Sequence, residues 1–255
     1  MSVERAEASE DAVLGGRLVL RQPLRGHRVG HDAILLAAAT SAHAGEHAVD
    51  LGAGVGGAGL ALARRVDGLA VTLVEIDPVL TALARENAER NALSERVRAV
   101  CLDVAAPAAA FAAAGLAAGS AHRVLMNPPF NVWQNASPDR SRRMAHAASQ
   151  GTLRRWVRTA ARLLRPAGVL TLIWRADRLE EVLAVLASGF GAVSLLPVFP
   201  KPDAPAIRVL ARAAKASRGP LSLLPGFLLA NADGKPTAEA EAVLRGGATL
   251  PLAAN

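Results

Sequence analysis

From residue 48 onward, short apolar runs alternate with stretches whose apolar residues recur every three or four positions. That alternation predicts strands followed by crossover helices in a parallel sheet. The strands are expected near Ala48–Leu51, Val71–Ile76, Val97–Leu102, Val124–Met126, Val169–Trp174, Val193–Val198 and Ile207–Ala211. The helices are expected near Gly57–Arg65, Pro78–Asn91, Ala108–Leu116, Leu153–Leu164 and Arg178–Leu186. The last two strands are joined by "FPKPDAP" (199–205), too short for a crossover helix, so they should pair antiparallel. Ahead of this pattern, "GRLVLRQP" (16–23) reads as a strand and "HDAILLAAATSAH" (31–43) as an amphipathic helix. After it, "PLSLLPGFLLANADGKP" reads as extended and "TAEAEAVLRGG" as a helix stopped by glycine. The fold class is therefore α/β: a seven-stranded sheet with an antiparallel strand near one edge and helices on both faces. The chain divides into a mobile N-terminus (1–14), an N-terminal extension (15–45), the α/β core (46–216) and an appended C-terminal segment (217–255).

Composition narrows the class. Hydrophobic residues make up 51% of the 255, ample for one continuous core, and charged residues 20%, too few for a disordered chain. The alanine-rich run 104–119 is interrupted by Pro107 and Gly115 and is too weakly apolar to span a bilayer, so no membrane association is expected. The polar, acidic start "MSVERAEASEDAV" does not read as a secretory signal, and Cys101 stands alone, which fits a reducing cytoplasm. Net charge is +7, and only Lys201, Lys215 and Lys235 among the 29 basic residues are lysines. Guanidinium forks match phosphate oxygens, so the arginine excess suits a nucleic-acid partner; a coding bias toward Arg and Ala would produce the same numbers.

The chemistry gathers at strand ends. "AVDLGAGVGGAGLALARRV" (48–66) sets Gly52, Gly54, Gly56 and Gly57 between a strand and a helix. Small residues there let the backbone approach a ligand, and the helix start offers unpaired N–H groups. Gly52-x-Gly54-x-x-Gly57 satisfies the dinucleotide pattern, with Glu75 at the end of the second strand as a ribose hydroxyl partner; both suit NAD or S-adenosylmethionine. Asp50 shifts the balance, because a carboxylate just ahead of the glycines is placed for the cationic amino-acid end of S-adenosylmethionine. Asp103, closing the third strand, can accept from an adenine amino group, whereas Asp77 reads as a helix N-cap. His27, His31 and His146 show no metal-ligand spacing with Cys101, and no metal site is expected.

The run "HRVLMNPPF" (122–130) ends a buried strand in an amide, two prolines and an aromatic ring. Glycine loop, "VEID", "LDV" and "NPPF" together resemble the class I S-adenosylmethionine-dependent methyltransferases, whose sheet is Rossmann-like. The Asn-Pro-Pro-aromatic element is similar to those acting on planar amide or amino nitrogens. Asn127 would supply a side-chain carbonyl and Pro128 a main-chain carbonyl to the N–H bonds of the target, with Asn127 also bordering the cofactor. Pro128 and Pro129 stiffen the loop. Phe130 would stack on a base for roughly 1–3 kcal/mol, with Trp133 a second stacking candidate or else a core or lid residue.

"LRQPLRGHRVGHDAILLAAA" (20–39) resembles the N-terminal segment of the tRNA adenine-N6 methyltransferases that modify the adenine 3′ of the anticodon, position 37, of valine tRNA. In that family a Gly-x-Arg-x-x-x-Asp-x-x-Leu-Leu pattern helps close the cofactor pocket; Gly26, Arg28, Asp32, Leu35 and Leu36 match it. "SPDRSRRMAHA" (137–147) and "DGKPTAEAEAVLRG" extend the likeness over most of the chain. The resemblance implies S-adenosylmethionine as cofactor, S-adenosylhomocysteine as product and tRNA as substrate. Arg140, Arg142 and Arg143, on a mobile loop after "NPPF", read as phosphate contacts, with a solvated face as the alternative. Phe130 replaces the tyrosine often found at its position, which keeps guanine N2 in rRNA open as a target. A glutamine methyltransferase of a translation factor is a further alternative, although roughly 45 residues before Asp50 leave little room for its helical N-terminal domain. An NAD oxidoreductase leaves "NPPF" unexplained, and a non-catalytic RNA-binding protein leaves the acids unexplained.

Overall fold

The computed structural model describes residues 8–25, 28–129 and 138–254, the side chains of 138–150 excepted. A hairpin of β1 (Ala8–Val13) and β2 (Leu18–Pro23) precedes helix α1 (His31–Ala39). The alternation then runs β3 (His47–Leu51), α2 (Gly57–Arg65), β4 (Ala70–Glu75), α3 (Pro78–Arg90), β5 (Val97–Cys101) and α4 (Ala108–Ala113). It continues with β6 (Ala121–Met126), α5 (Pro138–Leu163), β7 (Leu164–Arg175), α6 (Leu179–Leu186), β8 (Phe190–Phe199) and β9 (Arg208–Lys215). Two short strands, β10 (Ser222–Leu223) and β11 (Phe227–Leu228), and helix α7 (Ala238–Leu244) complete the chain.

The main sheet has the order β5-β4-β3-β6-β7-β9-β8, with β9 antiparallel to both its neighbours. From β3 the chain moves outward to β4 and β5, then returns to β6 on the other side of β3. This reversal opens a crevice beyond the carboxyl ends of β3 and β6, the place where such sheets bind ligands. Successive residues of β6 serve opposite faces: Leu125 packs with α1 and α2, whereas Val124 and Met126 pack with α4 and α5. A period of two along a fully buried strand is why "VLM" reads as a continuous apolar run.

Three expectations change. Residues 8–13, expected to be mobile, are held as β1 by pairing with β2 in register from Ala8↔Pro23 to Val13↔Leu18. The segment from Pro138 onward is not a loop: its backbone is the start of α5, which places Arg140, Arg142 and Arg143 on a helix. Proline's fixed φ suits the first helical turn, so Pro138 starts this helix instead of breaking it. The sheet has nine strands instead of seven, because β10 and β11 both lie parallel to β8. They cover an edge that would otherwise expose unpaired backbone groups. The C-terminal segment is consequently not appended but shares the main core, through Ala240, Val243, Leu250 and Leu252. Among the described residues, no helix is long and apolar enough to cross a membrane.

Two amides dock the hairpin. Asn87 on α3 and Asn91, the residue that caps its C-terminus, lie one turn apart and act as a surrogate strand for β2. Asn87 Oδ1 accepts from Arg21 N at 2.7 Å and its Nδ2 donates to Arg21 O and Val55 O, each at 3.0 Å. Asn91 repeats the pattern with Val19 N at 3.0 Å and Val19 O at 2.8 Å. Asn87→Ala strands three backbone groups beside a fully buried position. Each unpaired group costs about 1–3 kcal/mol, and partial rehydration leaves an expected loss of roughly 2–4 kcal/mol. Thermal denaturation should therefore show a Tm lower by roughly 5–15 °C; an unchanged Tm would mean that the hairpin docks without these bonds.

Candidate functional site

The carboxyl ends of β3 and β6 and the start of α2 enclose a cleft lined in part by Val29, Asp50, Gly52, Gly54, Leu80 and Asn127. Its geometry begins with the glycine loop. Gly52, Gly54 and Gly56 have φ of 70°, 57° and 93°, a region that side-chain-bearing residues rarely adopt. Gly52 N and Ala53 N donate to Val74 O at 2.8 and 3.0 Å, which ties the loop to β4. A Cβ at Gly52 would lie 2.2 Å from Cη2 of Trp156, so the indole from α5 fills the space that glycine leaves.

Asp50 sits at the end of β3, 2% exposed, and accepts from Gly59 N at 2.9 Å. Gly59 makes that contact possible: a Cβ there would lie 2.3 Å from Leu73, so only glycine lets α2 approach the sheet this closely. Burial pushes the Asp50 carboxyl up to about 7, with the nearby Glu75 charge adding to the rise and the Gly59 N–H opposing it. A cation entering the cleft would favour the ionised form.

Glu75, at the end of β4, uses both oxygens on the backbone. Oε2 accepts from Gly54 N at 2.8 Å and Oε1 from Asp77 N at 3.0 Å. A carboxylate has about four lone-pair sites, so two remain for hydroxyl donors. Asp77 caps α3 as expected, accepting from Val79 N at 2.7 Å and Leu80 N at 3.3 Å. Asp103 stands two residues beyond β5, exposed, with Oδ1 accepting from Ala105 N at 2.7 Å.

Asn127 follows β6 directly, and Pro128 behind it is buried. Asn127 Oδ1 is buried with no hydrogen-bond partner among the described residues. A buried acceptor left unpaired costs about 1–3 kcal/mol, and one that borders a cleft can accept from a donor that enters it.

Two expected cofactor residues are engaged elsewhere. Arg28 pairs with Asp11 and donates to Ser9 Oγ at 3.0 Å and Pro23 O at 3.1 Å, so it holds the hairpin. Asp32 pairs with Arg208 of β9 at 2.9 Å. Their segment reaches the cleft through Val29 and Ala33 instead. Gly26, Phe130 and Trp133 lie outside the described residues, as do the side chains of Arg140, Arg142 and Arg143.

Residues 27–197 match the methyltransferase small domain family. The chain belongs to that family. It is 32% identical over 171 residues to a tRNA1(Val) (adenine(37)-N6)-methyltransferase of Porphyromonas gingivalis, a match covering 66% of each chain. A release factor glutamine methyltransferase of Chlorobaculum tepidum is also 32% identical, over 61% of this chain and 54% of its own. Among solved structures, a predicted O-methyltransferase from Agrobacterium tumefaciens superimposes with a TM-score of 0.73 at 30% identity, covering 86% of this chain and 98% of that one. Family and fold make S-adenosylmethionine the cofactor to which these residues answer, and the cleft fits it. The strained glycine backbone leaves room for close approach, buried Asp50 suits its ammonium group, and Glu75 keeps lone pairs for ribose hydroxyls.

Sequence reasoning missed Gly59, Trp156 and the Asn87–Asn91 pair. A glycine inside an otherwise regular helix and two amides spaced i, i+4 on an apolar face were the available signals. Nothing local in "RRWVR" points Trp156 at a loop a hundred residues earlier.

Proposed function

We propose that this chain is an S-adenosylmethionine-dependent methyltransferase acting on the N6 amine of adenine in tRNA, at position 37 of valine tRNA. The observation that supports this reading is Asn127 Oδ1, buried at the rim of the cleft and without a hydrogen-bond partner among the described residues. An exocyclic amine delocalises its lone pair into the ring and is a poor nucleophile. An acceptor that grips one N–H favours the pyramidal geometry in which the lone pair is available; the Pro128 carbonyl is the candidate for the second N–H. Bound S-adenosylmethionine supplies an electrophilic methyl group on a sulfonium centre. Asp50 would hold its ammonium end, Glu75 its ribose hydroxyls and Asp103 its adenine. Methylation makes the nitrogen strongly acidic, so its proton leaves to water without a dedicated base. The rest is orientation and electrostatics, with Phe130 stacking on the target base. Such a substrate puts the activity in the cytoplasm.

The test offers the purified protein labelled S-adenosylmethionine with unmodified valine tRNA, the same tRNA carrying guanine at position 37, 16S rRNA and a release factor, and identifies the products by mass spectrometry. N6-methyladenosine only in the first supports the reading; N2-methylguanosine or methylglutamine as the main product overturns it. Thermal shift gives an independent check on the cofactor. S-adenosylmethionine should raise Tm through binding the native state, NAD should not, and Glu75→Ala should shrink the shift. Equal shifts with NAD would reverse the cofactor assignment.

A further inference from the structure

The chain's positive charge is not evenly spent. Over much of the fold, arginines are paired: Arg21 with Glu86, Arg96 with Asp67, Arg123 with Glu46 and Arg208 with Asp32. Helix α5 is different. From residue 151 to its end it contains no Asp or Glu, and Arg154, Arg155 and Arg158 are exposed. Among the described residues, these three have no hydrogen-bond or ion-pair partner. At about 100° per residue they fall within one arc of roughly 100°. The opposite face, with Leu153, Val157, Ala160 and Leu163, is buried in the core. Arg154 and Arg158 are one turn apart, so their guanidinium groups can follow a row of phosphates. Trp156, within the same run, lies against Gly52 from the buried side of the helix, so the arginine face is at the level of the cofactor loop but on the opposite, outward side of α5.

We infer that the Arg154–Arg155–Arg158 face of α5 is a docking track for the phosphate backbone of the RNA whose base enters the cleft. The inference rests on the nucleic-acid reading above and goes beyond it by naming a surface. Its chemistry is exposed guanidinium against phosphodiester. The face looks outward from the helix whose buried side reaches the cofactor loop, and RNA phosphates held on it would anchor the molecule while another part of it presents the target nucleotide to Asn127. These residues are positioning residues and touch no reacting atom.

The test uses the triple variant Arg154→Gln/Arg155→Gln/Arg158→Gln, with Lys201→Gln/Arg218→Gln as an equally exposed basic control. Affinity for a fluorescent valine tRNA transcript is measured across a salt series, from low to well above physiological ionic strength. Each lost phosphate contact lowers the log–log slope by about 0.7–0.9, so the triple variant should flatten it by roughly 2 or more, whereas the control should not. The tRNA KM should rise at least tenfold, with kcat at saturating tRNA and the S-adenosylmethionine Kd unchanged. An unchanged slope, or equal flattening in the control, overturns the track. So does a triple variant that loses binding to phosphatidylglycerol vesicles while keeping its RNA slope, because the face would then serve a membrane surface. A wild type that binds RNA with a steep slope and methylates no tRNA would overturn the proposed substrate and leave the track standing.

Discussion

Asn127→Ala is expected to keep S-adenosylmethionine affinity within a small factor and to lose about 10²–10³-fold in kcat, the scale on which removal of one preorganised hydrogen-bond partner of a reacting group acts. The side chain sits at the rim of the cleft, and its Oδ1 has no partner among the described residues. Among the described residues no donor claims this acceptor, which is what the proposed contact with the substrate amine requires. Single-turnover kinetics with bound tRNA, beside calorimetric titration of the cofactor, separate the two effects. A variant that methylates tRNA at near wild-type rate would reduce "NPPF" to a rigid turn, and the assignment of the methyl acceptor would lose its support.

The second large effect belongs to Asp50, and it has two signs. Asp50→Asn should weaken S-adenosylmethionine binding about 10–100-fold, the worth of a charge-assisted contact of roughly 1.5–3 kcal/mol. In the wild type the same contact should tighten with pH and level off above about 7, where the carboxyl is ionised. In the Asn variant that dependence should be absent. Stability moves the other way. The folded pKa is raised from 3.8 to about 7, so this group's contribution is complete below pH 4 and is lost as pH rises toward 7. The Asn side chain can still accept from Gly59 N and never ionises. Without cofactor, the variant should melt above the wild type at pH 8, by about 2–4 °C for each kcal/mol recovered, and close to it at pH 4. Melting curves across pH 4–8 check this; a gap independent of pH would show that Asp50 does not hold its proton in the folded state.

Much of this molecule was legible from the chain itself. The short apolar runs located the seven long strands, because strands covered by helices on both faces, as β3, β4 and β6 are, carry apolar side chains on each. The short "FPKPDAP" link required β9 to run back against β8, since a parallel return needs a crossover longer than the chain supplies there. Helix α2 began at Gly57 and ended at Arg65, as the pattern predicted, and Asp77 capped α3. These are local matters of sterics and hydrogen bonding, and a few neighbouring residues decide them. What the tertiary structure alone decided is which distant groups meet. Arg28 and Asp32 carry a family pattern, yet the structure engages them with Asp11 and with Arg208, a partner 176 residues away. Trp156 fills the space over Gly52, Asn87 reaches both β2 and the Val55 carbonyl, and β10 and β11 cover β8. Each of these pairings depends on the simultaneous packing of several elements, and no short stretch of sequence records the position of its eventual neighbour.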